Sequence, residues 1–138
     1  MKKIFTLIAA ASMVLAAGAE SLMVYDGSGF DFYLPINSLF FDEPQLTTQL
    51  IFPAEDLAEM NGKTITSMTF FTDEFGCYMD GGQLAISLGE TDSKEMTGFI
   101  AGLTRVATLS MNRSTGAPVQ VVIEFDAPYE YKGGNLVF

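Results

Sequence analysis

Hydrophobic and polar positions alternate with a period of two along most of this chain, which is the pattern of half-buried strands. Leu84, Ile86 and Leu88 alternate with Ala85 and Ser87, and Val119, Val121, Ile123 and Phe125 alternate with Gln120, Val122 and Glu124. Phe30, Phe32 and Leu34 alternate with Asp31 and Tyr33 until Pro35 ends the run. Leu46, Thr48, Leu50 and Phe52 share one face of another predicted strand. Leu103, Arg105, Ala107, Leu109 and Met111 share a face of a further one, in which Arg105 is out of character. Thr64 to Thr72 is rich in β-branched and aromatic residues, but its alternation slips: Ile65 lies in one phase, Met68 and Phe70 in the other. A bulge near Ser67-Met68 restores a single apolar face.

One short helix is predicted near residues 54–60. Pro53 suits a first turn, Glu55 and Asp56 suit its positive end, and Ala54, Leu57 and Ala58 follow i, i+3, i+4 spacing before Asn61-Gly62 stops it. A second helical turn is predicted around Ser93 to Ile100. Turn chemistry marks Asp26-Gly27, Asp80-Gly81-Gly82, Thr115-Gly116 and Gly133-Gly134. Short strands separated by such turns predict an all-β fold, an antiparallel β-sandwich, with an open barrel as the alternative. The Gly133-Gly134 turn followed by Asn135-Leu136-Val137-Phe138 reads as a strand just begun. The favoured expectation is that the chain is the front part of a longer protein, which leaves the sandwich incomplete at its C-terminus; the alternative is that the sheet ends there with an uncovered edge.

The first 19 residues break the β pattern. Lys2 and Lys3 precede an apolar run from Ile4 to Leu15, and Ala17-Gly18-Ala19 fits the small-x-small rule for cleavage before Glu20. Residues 1–19 are therefore read as a secretory signal peptide and residues 20–138 as one β-sandwich module. The apolar run is shorter than the roughly 20 residues a membrane span needs. No later run is long enough, so no membrane insertion is expected after cleavage. The expected location is extracellular or at the cell surface, with the periplasm as the alternative.

Charge narrows the partners. The whole chain carries 17 acidic and 7 basic residues, a net charge of −10. Removing Lys2 and Lys3 with the signal leaves five basic residues and a charge of −12. Such a surface repels phosphate backbones and anionic lipid, which argues against nucleic-acid binding. Cys77 is the single cysteine, so no internal disulfide can form and packing alone must hold the fold.

Two stretches together carry a likeness. One is Gln49-Leu-Ile-Phe-Pro-Ala-Glu-Asp-Leu-Ala-Glu-Met-Asn-Gly-Lys-Thr-Ile-Thr-Ser-Met-Thr-Phe-Phe. The other is Leu84-Ala-Ile-Ser-Leu-Gly-Glu, followed by Glu124-Phe-Asp-Ala-Pro-Tyr-Glu-Tyr-Lys-Gly-Gly-Asn-Leu. Their order of strand, short helix, strand and turn resembles a module of secreted and surface proteins from Bacteroidetes-type bacteria, similar to the jelly-roll domains of the cleaved-adhesin group. The likeness covers roughly residues 25–138. It implies a jelly-roll-like sandwich used for attachment, with further strands and domains beyond residue 138, and it carries over no ligand-contact residue.

The chain has no histidine, which removes Ser-His-Asp and Cys-His nucleophile systems and histidine-based metal sites. No Gly-rich phosphate loop of standard spacing occurs. A pair of carboxylates of the kind used by glycosidases is not removed by these absences. Asp73-Glu74 and Asp80 bracket the aromatic segment Phe75 to Tyr78. They are either a solvated loop or a source of oxygen ligands for calcium, through Asp73, Glu74 and Asp80; no other cofactor is expected. Tyr25, Tyr33 and Tyr78 are the candidates for an aromatic contact surface, since a flat apolar ring with a polar tip suits sugars and proteins alike.

The leading expectation is thus an adhesion or binding module without catalytic activity, whose partner is a protein or glycan ligand. The alternatives are a structural subunit that assembles by strand addition through residues 133–138, and a two-carboxylate secreted hydrolase.

Overall fold

The computed structural model describes residues 20–24, 47–71, 82–111 and 120–138. The elements are β1 (Ile51–Phe52), a 3₁₀ turn (Ala58–Met60), β2 (Thr64–Phe71), β3 (Gly82–Thr91), β4 (Thr104–Met111), β5 (Gln120–Glu130) and β6 (Asn135–Val137). They form a four-stranded sheet in the order β1-β6-β3-β4 and a two-stranded sheet β2-β5, and every pairing is antiparallel. The fold is all-β and sandwich-like, as the period-two pattern predicts. The strand expected over residues 30–34 lies outside the described residues.

The inner faces meet in one apolar core. Leu57, Ile65, Ile86, Leu88, Val106, Ala107, Ile123, Tyr131, Leu136 and Phe138 are buried together. Phe70 of the two-stranded sheet packs against Phe138, beside β6 of the other sheet, with ring centroids 5.0 Å apart and planes tilted by 50°. That tilted geometry suits the aromatic quadrupoles and closes the sandwich from both sides.

Both irregular strands owe their phase slips to bulges. In the β2–β5 pair, Ile65 faces Tyr129 but Ser67 faces Glu124, so Thr66 stands opposite the whole Phe125–Pro128 stretch. The shift brings Ile65 onto the core side along with Met68 and Phe70, as expected. Most of the extra chain lies in β5, where Pro128 has no N–H to offer a ladder. In the β3–β4 pair, Ile86 faces Ala107 and Ser87 faces Arg105, which leaves Val106 as the extra residue. Val106 and Ala107 are both buried in consequence, and Arg105 turns out to solvent. The single face predicted for Leu103 through Met111 is therefore wrong at Arg105, because the bulge reverses the alternation there.

The predicted helix is present in a tighter form. Asp56 N–H donates to the Pro53 carbonyl, Leu57 to Ala54, Met60 to Leu57 and Asn61 to Ala58, all three-residue closures. Leu57 is buried while Ala54 and Met60 are half-buried, whereas Ala58 is exposed. The inward residues thus follow the threefold repeat of 3₁₀ turns and not the i, i+4 spacing of an α-helix. The turn predicted around Ser93 to Ile100 is no helix at all but part of a long loop between β3 and β4.

The largest correction concerns β6. It is not an uncovered edge. Val137 and Leu136 face Ile51 and Phe52 of β1 on one side and Gly89 and Glu90 of β3 on the other. Leu50 and Phe138 extend the β1 ladder with reciprocal backbone bonds of 2.9 Å. Asn135, Leu136 and Val137 are all buried. Both its edges are paired and both its faces are covered. Strand addition through residues 133–138 thereby loses the free edge it requires.

Candidate functional site

The best-defined candidate lies at one end of the sandwich, where the loop between Thr91 and Leu103 leaves β3 and returns as β4. Polar side chains from distant parts of the chain hold it by imitating backbone. Gln49 pairs with the Ile100 peptide at both ends: its Nε2 donates to the Ile100 carbonyl (2.8 Å) and its Oε1 accepts from the Ile100 N–H (2.7 Å). Asn135 is a buried polar residue at the start of β6. Its Oδ1 accepts from Ala54 N–H (2.9 Å) and its Nδ2 donates to the Ser93 carbonyl (3.1 Å), so one amide ties the 3₁₀ segment to the loop.

Within the loop, Thr91 Oγ1 accepts from Ser93 N–H (3.1 Å) and Ser93 Oγ donates to the Glu95 carbonyl (3.2 Å). These local bonds compete with helix formation and explain why the predicted helical turn does not form. At the loop's return, Leu103 lies so close to β3 that a Cβ on Gly89 would meet Leu103 Cδ2 at 2.5 Å. A side chain at position 89 would require the Leu103 side chain to move aside, while the Leu103 backbone, at 3.6 Å, would stay in ordinary contact.

Glu90, paired with Leu136, anchors the neighbouring turn. Its Oε1 accepts from Lys132 N–H (3.0 Å) and from the Tyr129 hydroxyl (3.3 Å), and its Oε2 accepts from Gly134 N–H (2.7 Å). The Tyr131 hydroxyl closes the same turn by donating to the Gly134 carbonyl (2.7 Å). Gly133 sits at φ +96°, in the region that favours glycine, so the predicted Gly-Gly turn is observed. Burial and the Glu90 carboxylate together push the Tyr129 hydroxyl up to about 12 and raise that of Tyr131. Both phenols therefore stay protonated and neutral at ordinary pH.

Both Glu90 oxygens accept from donors of this turn, and the adjacent phenols stay protonated. Among the described residues no group of three or more histidine, cysteine or acidic side chains is placed to hold a metal ion. Among them, too, no helix is long and apolar enough to cross a membrane.

Among the polar residues of its exposed surface, the clamped loop presents two large apolar side chains. Phe99 is 68% exposed and Met96 40% exposed. Asp92 and Glu95 are exposed on the same loop. Lys94 is held by Glu55 at 3.3 Å, and its charge, after the Glu55 backbone N–H, holds the Glu55 carboxyl below the usual range. A second pair of exposed apolar residues, Phe71 and Val122, lies on the outer face of β2 and β5, where Phe71 faces Gln120 and Val122 faces Thr69.

Tyr25, Tyr33 and Tyr78, the candidate contact aromatics, lie outside the described residues, as do Asp73, Glu74 and Asp80, the candidate calcium ligands. Of the cleavage residues, Ala17 and Ala19 also lie outside them, whereas Glu20 is exposed and ion-paired with Lys63, which lowers its carboxyl. Met96, Phe99, Gln49 and Asn135 were not singled out in the sequence. The available signal was Met96-Thr97-Gly98-Phe99-Ile100, where apolar residues flank a glycine with neither the strand nor the helix period.

Comparison with protein-family models, with curated proteins and with solved structures found no match to this chain.

Proposed function

We propose that this chain is an exported binding module that attaches to a protein or glycan at the cell surface or outside the cell, and that it performs no chemistry of its own. The observation that carries this reading is the Thr91–Leu103 loop, which holds Met96 and Phe99 in solvent on a frame fixed by Gln49 and Asn135. Exposing a large apolar side chain forgoes roughly 1.5–3 kcal/mol of burial, and fixing the loop costs conformational entropy. A rigid frame under an exposed aromatic residue makes sense where a partner completes the burial, since the ordering cost is then already met before binding. The signal-like N-terminus and the likeness to surface adhesion modules point the same way.

The test is a binding screen of the folded, secreted product against extracellular-matrix proteins and a glycan array. Saturable binding to at least one member is the expected result. Silence across both panels from folded protein overturns the reading.

A further inference from the structure

We propose that the Thr91–Leu103 loop docks into an apolar cleft with a cationic rim on a partner protein, and that it is not a sugar-binding loop. This deepens the binding-module reading and rests on it. Sugar recognition needs fixed amides and carboxylates that pair with hydroxyl groups beside an aromatic face. Here the half-buried Gln49 amide bonds Ile100 through both its oxygen and its nitrogen, and the buried Asn135 amide bonds Ala54 and Ser93 in the same way. Both Glu90 oxygens are spent on Tyr129, Lys132 and Gly134. The Ser93 hydroxyl donates to the Glu95 carbonyl, and Thr91 Oγ1 takes the Ser93 N–H. The fixed amides around the loop are thus engaged within the fold, and the exposed carboxylates of Asp92 and Glu95 favour a cationic partner over a neutral sugar.

What is left for a partner is apolar contact from Phe99 and Met96, together with charge. Methionine is suited to the first, because its flexible, polarizable side chain adapts to an irregular cleft. Asp92 and Glu95 lie exposed on the loop, Lys94 is already engaged by Glu55, and the whole chain carries −10. The complementary surface is therefore apolar at its centre and basic at its rim. Such charges on a rim steer encounter and add salt dependence, while the buried aromatic residue supplies most of the affinity.

The probe is a random-peptide phage library panned on the folded secreted product, with a glycan array and zwitterionic phosphatidylcholine vesicles as parallel arms. Enriched peptides should combine Lys or Arg with Leu, Phe or Met. Their binding should fall about tenfold or more with Phe99→Ser and weaken as salt rises from roughly 0.05 to 0.5 M. Met96→Ser should weaken it in the same direction, and circular dichroism should show both variants folded, since both side chains are exposed. If Phe99→Ser does not fold, Met96→Ser and the Asp92→Asn/Glu95→Gln double variant carry the test instead. Peptides without basic residues, or binding that ignores every one of these changes, overturn the proposal. Glycan or vesicle binding that disappears with Phe99→Ser also overturns it, while leaving the binding module intact. A dimer that dissolves with Phe99→Ser places a second copy on the loop and overturns it as well. Silence in every arm sinks both this proposal and the function it rests on.

Discussion

β5 and β6 follow one another in the chain, yet they occupy opposite kinds of position. β5 is long, and its residues alternate between the core and solvent: Val121, Ile123, Phe125 and Tyr129 turn inward, while Val122, Glu124, Asp126 and Glu130 turn out. β6 is three residues long, without alternation, and every one of them is buried. The difference follows from their neighbours. β5 has one face on the core, whereas β6 is covered on both faces and is also paired at both edges, with β1 and β3. The short strand is the more central one.

The most direct way to break this comparison is Leu136→Ala. Leu136 is only 2% exposed, so a cavity should remain and unfolding free energy should fall by about 2–5 kcal/mol. Val122→Ala on the outward face of β5 should cost less than about 0.5 kcal/mol. Chemical denaturation of both variants checks the pair, and equal losses would place β6 at the surface after all.

A smaller effect is expected at the turn that joins the two strands. Glu90→Gln turns an amide N–H₂ toward Lys132 N–H or Gly134 N–H, which already point at the carboxylate. Leaving a half-buried donor without an acceptor should cost about 1–3 kcal/mol. Urea denaturation at neutral pH measures it, and a neutral result would show that the turn holds without this side chain.

Alkali should sharpen the same point. The Tyr129 hydroxyl is raised to about 12, whereas in the unfolded chain it titrates near 10. Above pH about 10 the unfolded state loses its proton first, so stability is complete below that pH and falls as pH climbs through about 12. Tyr129→Phe should flatten part of this decline, with Tyr131 responsible for a further part in the same direction. Thermal melts of both proteins across that range test the sign.

The smallest expected change is at the edge of β4. Asp126 Oδ2 accepts from the outward Thr108 N–H at 3.0 Å, which brings β5 beside that strand. Both groups are exposed, so Asp126→Ala should cost no more than about 1 kcal/mol. Faster amide exchange at Thr108, with little change in the denaturation midpoint, is the expected signature.

Much of the strand content was legible because alternation reports which face meets the core. Leu84, Ile86 and Leu88 lie inward in β3, as do Val121, Ile123 and Phe125 in β5. The slip in β2 was legible too, since Ile65 and Met68 cannot share a face without a bulge. The bulge at Val106 was missed because two adjacent apolar residues, Val106 and Ala107, fit either phase. The candidate loop was the least legible feature. Its fixing partners, Gln49 and Asn135, are distant in sequence, and a lone amide carries no sign of the peptide group it will meet.

The sequence alone determined an all-β architecture, the turn at Gly133-Gly134 and a short helical segment after Pro53, because each rests on local periodicity or backbone preference. The tertiary structure decided the rest. It placed β6 inside the sheet, tightened the helical segment into 3₁₀ turns and gave Gln49, Glu90 and Asn135 to backbone groups on other segments. The physical reason is that strand order and side-chain-to-backbone pairing are long-range choices, set by which surfaces bury each other and not by the residues next along the chain.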